Sequence, residues 1–236
     1  MELRVLYQDE GLIAIDKPPG VLVHRTKLDV HERTVVVQAL RDQIGKKVYP
    51  LHRLDKPTSG VLLFALDSAT ARSVGDLFAS RAIRKTYHAI VRGWTAAEDV
   101  IDYPLKVIRD KTTDSDTRPD KPPQQAVSRY RSLGHCTIDT PVGRYETARY
   151  TLLELTPETG RKNQLRRHLK HIFHPIIGDR KFGDRDHNAY FRDNLDCDRL
   201  LLSAVTIELL HPTTNQTISI SCDSGFPEEI TAFFDG

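Results

Sequence analysis

The chain has 236 residues, 39% hydrophobic and 28% charged, enough apolar material for a core in one large domain or two small ones. Its 34 basic and 32 acidic residues leave a net charge of +2, which excludes a grossly cationic nucleic-acid binder but not a local basic patch. Its three cysteines, Cys136, Cys197 and Cys222, form no C-x-x-C pair, so neither a disulfide framework nor a zinc site is expected, and reduced thiols point to the cytoplasm. The N-terminal MELRVLYQDE lacks the pattern of a signal peptide, and no segment has the roughly 18 apolar residues of a membrane span. No period repeats along the chain.

Short apolar runs at Leu3–Tyr7, Gly11–Ile15 and Val21–Val23 predict three early strands, the last two separated by the turn Lys17-Pro18-Pro19-Gly20. Helical spacing of Val35, Val36, Ala39, Leu40 and Ile44 predicts a helix over 34–44. Gly60–Leu66 is a continuous apolar run that predicts a buried strand. Asp67 and Ser68 then offer caps to a helix ending near Ala79. Lys85–Val91 predicts a strand ended by Gly93. From 106 to 125 the chain is charged and proline-rich and predicts a long loop.

Strands are expected again at Val127–Arg131 and Tyr150–Leu155, with an extended hairpin or insertion over 134–146. Thr159–Phe173 predicts a helix, with Leu165, Leu169 and Ile172 on one face and Arg166, Arg167, Lys170 and His171 opposite. Pro175 marks its end. Leu200–Leu210 and Thr217–Ser221 predict late strands. Strands that outnumber helices without strict alternation predict an α+β fold on a mixed or antiparallel sheet flanked by helices.

The segment Leu51–Leu66, LHRLDKPTSGVLLFAL, sets Asp55 in a polar turn directly before the buried strand. The hydroxyls of Thr58 and Ser59 can bond local backbone and stiffen that turn. A carboxylate so held can act as nucleophile or base; by spacing alone, an aspartate that merely caps the turn is the more ordinary reading. In 155–168, LTPETGRKNQLRRH, Arg161, Lys162, Arg166 and Arg167 crowd the expected helix start, where cations are disfavoured unless they meet an anion. A solvated basic face is the competing reading. Tyr87 lies inside the strand RKTYHAIVRG, where a core tyrosine is ordinary.

HRLDKPTSG at 52–60 resembles the catalytic motif of RluA-type pseudouridine synthases. DKPPGVLVH at 16–24, RKTYHAIVRG at 84–93, LTPETGRKNQLRRHL at 155–169 and HPIIGDRKFG at 174–183 resemble the family's other motifs, in its order. The resemblance implies one catalytic domain over 1–236, with no room for an N-terminal S4 domain. It implies an isomerase that converts uridine to pseudouridine in RNA without cofactor or metal. The subgroup it brings closest acts on tRNA, at the uridine of position 65. A cytoplasmic monomer with tRNA as substrate and no obligate protein partner is expected.

By the same resemblance Asp55 is the nucleophile. Burial penalises an anion, so a cation is needed beside it, and Arg166 is implied. Tyr87 would stack on the base and help remove its C5 proton late in the reaction, and Leu165 would line the pocket. Arg53 would fill the gap left by the flipped base, and Lys17, Arg161, Lys162 and Arg167 would meet phosphates. Asn163 stands where the family usually has histidine, so no titrating role is expected there. An rRNA-modifying relative shares these motifs. A non-catalytic RNA-binding module would lack the carboxylate of the HRLD turn, and a two-acid hydrolase would need a second acid. Asp179 and Asp184, the candidates that follow the arginine motif, are expected to be loop residues.

Overall fold

A computed structural model describes residues 1–24, 35–108 and 122–234. The chain forms two compact units: residues 1–85, 105–124 and 204–223, and residues 86–104, 125–203 and 224–236. The fold class is α+β, as expected from the sequence.

In the first unit, β1 (Arg4–Gln8) and β2 (Leu12–Lys17) form an antiparallel hairpin. Asp9 closes its turn by accepting the Gly11 and Leu12 amides at 2.8 and 2.7 Å. The first helix, α1, spans Val36–Ile44. β3 is the two-residue strand Tyr49–Pro50. β4 (Ser59–Ala65) runs antiparallel to β2, from Leu12↔Ala65 to Lys17↔Gly60, and all its residues are buried. β3 pairs with the far end of β4. α2 (Ser68–Ala79) starts at Asp67, whose carboxylate accepts the Ala69 and Thr70 amides. β9 (Leu202–Leu210), most of which belongs to this unit, pairs antiparallel with β10 (Thr217–Ser221). Leu12, Ala14, Val61, Leu63, Val74, Ile207 and Ile220 pack into one core.

The second unit holds most of β5 (Arg84–Arg92), then β6 (Glu98–Asp102), β7 (Val127–Ile138) and β8 (Ala148–Pro157) in the spatial order β5-β8-β7-β6. These neighbours pair antiparallel. α3 covers Gln164–His171 and α4 Arg185–Leu195. A short α5 (Glu228–Thr231) and a 3-10 turn (Ala232–Phe234) follow near the C-terminus. Its core gathers Ile90, Tyr150, Ile177, Phe191, Leu201 and Ile230.

Three local expectations need correction. Val21–Val23 is not a strand; the run makes one isolated bridge, Leu22 with Val35. Its carbonyls serve α1 instead: Leu22 and Val23 accept the Val36 and Val37 amides at 2.9 and 3.0 Å. That replaces the side-chain cap which Val35 lacks. α3 begins at Gln164, not Thr159, because Asn163 sits in the left-handed region at φ 54°. α4 was missed because its RDHNAYFRDNL is mostly polar, and of it only His187 and Phe191 are buried. Of the expected loop 106–125, residues 109–121 lie outside the described residues; at its ends Leu105 and Gln124 bridge.

Candidate active site

In the first unit, the Asp55 turn is fixed from both sides. Gly60, the second residue of β4, sits at φ 100°, and a Cβ there would lie 2.1 Å from the Ala204 carbonyl oxygen, so only glycine fits. Thr58 and Ser59 are buried, and the Thr58 amide donates to the Asp55 carbonyl at 3.0 Å. Asp55 itself is half-buried and Arg53 exposed.

Lys17 is not at the surface, as a phosphate contact would require. It is 0% exposed, and its ammonium donates to the carbonyls of Pro18, Val21 and Lys56 at 2.8, 2.8 and 3.2 Å. The Gly20 amide adds a bond to the Lys56 carbonyl at 2.9 Å. A buried charge needs such acceptors. Lys17 thereby ties the 18–21 turn to the residue after Asp55, a role that an isolated lysine in a polar turn does not signal.

His52 does related work. The Leu51 amide bonds the Leu63 carbonyl at 3.1 Å, continuing the β3·β4 ladder. One residue later the chain leaves toward Asp55, and the Leu63 amide finds its acceptor in His52 Nε2 at 3.0 Å. The ring must be neutral to accept. Burial, reinforced by the nearby Lys85 charge, pushes its pKa down to about 3.

In the second unit, Tyr87 is buried on β5 opposite Leu155 of β8. Leu165 and Arg166 lie in the first turn of α3, both buried, so Arg166 is not on an outward face. Its guanidinium donates to both Asp179 oxygens, Nε at 2.7 Å and Nη2 at 2.8 Å, and packs over the Phe182 ring at 5.2 Å. Asp179 is a loop residue as expected, yet 2% exposed, and it also accepts the Lys181 and Phe182 amides, each at 2.9 Å. Burial works against its charge, but the Arg166 hydrogen bonds and charge with those amides hold its carboxyl below the usual range. The segment after the arginine motif is therefore an arginine-holding loop. Its signal in the sequence was the tight G-D pair: Gly178 is at φ 76°, where a Cβ would strike the Arg199 carbonyl. Asp184 caps α4 and pairs with Arg92.

Arg161 and Lys162 are half-exposed in the turn before α3, and Arg161 Nε donates to the Gln125 carbonyl at 3.0 Å. Arg167 is half-buried on α3. Asn163 occupies a backbone conformation in which asparagine is favoured over most residues. Thus Lys17, Arg53 and Asp55 belong to one unit, and Tyr87, Arg161, Lys162, Leu165, Arg166 and Arg167 to the other. No cluster of three or more metal-ligating His, Cys, Asp or Glu side chains occurs among the described residues.

Residues 11–171 match the family model described as RNA pseudouridylate synthase. The chain is 49% identical over 235 residues to tRNA pseudouridine synthase C of Vibrio parahaemolyticus, covering 99% of this chain and 96% of that protein. It is 50% identical over 233 residues to tRNA pseudouridine synthase C of Pectobacterium carotovorum, covering 98% of this chain and spanning 62% of that protein's length. The solved structure of human RNA Pseudouridylate Synthase Domain Containing 4 superposes with a TM-score of 0.70 at 26% identity, covering 97% of this chain and 90% of that one.

Proposed function

Since this chain belongs to the RNA pseudouridylate synthase family, we propose that its substrate is tRNA, that the uridine at position 65 is its target, and that Asp55 is the nucleophile. The observation that carries the reading is the near-full-length similarity to tRNA pseudouridine synthase C, at 49% identity. The braced turn that presents Asp55 supports it: a nucleophile held by Lys17, Gly60 and His52 does not relax away from its target.

In this mechanism the N1–C1′ bond of uridine breaks, the uracil turns, and C5 joins C1′. Asp55 either attacks C1′, in an ester bond that breaks as C5 joins C1′, or removes the C2′ proton to give a glycal and returns it to C2′ as C5 adds. C5 then loses its proton and N1 carries one, so substrate and product have the same atoms and no redox partner is needed. By the family resemblance Arg166 is the cation that a carboxylate nucleophile needs; within its own unit, Asp179 fixes the direction of its guanidinium. Tyr87 stacks on the base, and Leu165 lines its pocket. Arg53, exposed on the Asp55 turn, fills the gap left by the flipped base; its planar guanidinium both stacks and hydrogen-bonds. Arg161, Lys162 and Arg167 meet phosphates. The enzyme acts as a cytoplasmic monomer over a single catalytic domain, without a metal or cofactor.

The test is to incubate the purified chain with unmodified tRNA and rRNA transcripts and map pseudouridine at single-nucleotide resolution. Modification of tRNA at position 65 is the expected result. Modification confined to rRNA, or to another tRNA site, would overturn the substrate assignment.

A further inference from the structure

We propose that Tyr103 and His171 form a prebuilt stacking platform for an unpaired base of the substrate RNA, flanked by the cations of α3. The proposal rests on the RNA-modifying reading above.

Tyr103 follows β6 and is 41% exposed. Its ring stacks on the exposed His171 with centroids 3.5 Å apart and planes 16° from parallel. Its main chain is fixed at both ends. The Tyr103 amide donates to the Ala126 carbonyl at 3.1 Å, and its carbonyl accepts from His168 Nε2 at 3.1 Å.

A carbonyl only accepts, so His168 carries its proton on Nε2 and Nδ1 accepts from the Ser128 hydroxyl at 3.0 Å. The Ser128 oxygen accepts from Gln164 Nε2 at 2.9 Å. Gln164 Oε1 accepts the Thr159 hydroxyl at 2.7 Å and the Arg161 amide at 2.9 Å. Thr159, Ser128, Gln164 and His168 are all buried. Burial also holds the His168 pKa below its ordinary value, in the neutral form that the chain of bonds requires. A satisfied buried network of this kind fixes one arrangement. It links the turn that carries Arg161 and Lys162 to the exposed tyrosine, while His171, one turn beyond His168, presents the second ring.

The surroundings match RNA chemistry. Arg167, half-buried, and Lys170, exposed, lie on the same helix as His171. RNA offers unpaired bases that stack on aromatic and imidazole rings, with phosphates alongside for cations. Because the bonds to Tyr103 use its main chain, its side chain can be changed without breaking them.

The experiment measures the affinity of the full chain for an unmodified tRNA transcript, and the single-turnover rate at saturating RNA. Tyr103→Leu and His171→Ala should each weaken binding at least about fivefold, the range of one lost base stack, with the saturated rate unchanged. Tyr103→Phe should bind within twofold of the original. Tyr103→Leu and His171→Ala variants that bind like the original, or a Phe variant as weak as Leu, would overturn the platform. If Tyr103→Leu lowers the melting temperature, His171→Ala, altered only at an exposed ring, decides. An unaltered chain that neither binds nor modifies the transcript would instead sink the RNA reading. Turnover by the original with equal binding by the variants would sink the platform alone.

Discussion

Arg166 and Asp179 form a buried pair joined by two parallel hydrogen bonds, with the arginine side chain 9% and the aspartate 1% exposed. This bidentate geometry fixes the plane of the guanidinium. Removing one partner of such a pair typically costs about 3–5 kcal/mol, because the other charge stays buried. Asp179→Asn should therefore lower stability by a few kcal/mol and slow catalysis, although Asp179 lies outside the proposed chemistry. The depressed carboxyl contributes stability above its unfolded pKa of 3.8 and loses it as pH falls through the folded value. Chemical denaturation of both proteins should show their difference shrinking below about pH 4. A constant difference down to acid pH would show that the pair contributes nothing through charge.

His52 predicts a loss of stability on acidification that begins at higher pH. Its pKa falls from 6.5 to about 3 on folding, so the unfolded chain binds the proton first. Stability from the neutral ring is fully present above 6.5 and is lost as pH falls toward 3. Each pH unit inside that window is worth roughly 1 kcal/mol. His52→Gln, which keeps an acceptor near the Leu63 amide, should flatten the decline between about pH 6 and 5 by that amount. Denaturant midpoints of the two proteins across this range check it, and parallel declines would show that His52 titrates normally.

Lys17 separates a brace from a phosphate contact. A lysine on phosphate releases a counterion, and losing it reduces the salt dependence of RNA binding by about one unit of slope. Lys17→Met keeps the stem but removes the charge from three carbonyls. The expected outcome is a slower single-turnover rate with an unchanged salt slope. A slope reduced by about one would return Lys17 to the RNA-facing surface.

Much of this was visible in the residues. The apolar run of β4, the cap at Asp67 and the glycine at the end of β5 follow from local chemistry, and each element formed where expected within a residue or two. The tyrosine, arginine and HRLD motifs were found by resemblance, because an aspartate in a turn has no spacing that separates chemistry from capping. What stayed hidden depends on distant partners. Lys17 looked like a surface cation because its carbonyl acceptors are recognisable only once the turns meet. Arg166 looked outward on a helix expected to start at Thr159. Its burial follows from the Asp179 loop, and the true start from the left-handed Asn163. The polar network of Gln164, Ser128 and His168 joins residues up to 40 positions apart.

In the proposed mechanism Asp55 carries out the chemistry. The most direct measurement is the single-turnover rate of pseudouridine formation in tRNA by Asp55→Asn, with RNA affinity measured on the same preparation. A nucleophile acts on the transition state far more than on ground-state binding. Product formation should be abolished while affinity stays within a few-fold of the original. Turnover at the original rate by the asparagine variant would contradict that mechanism.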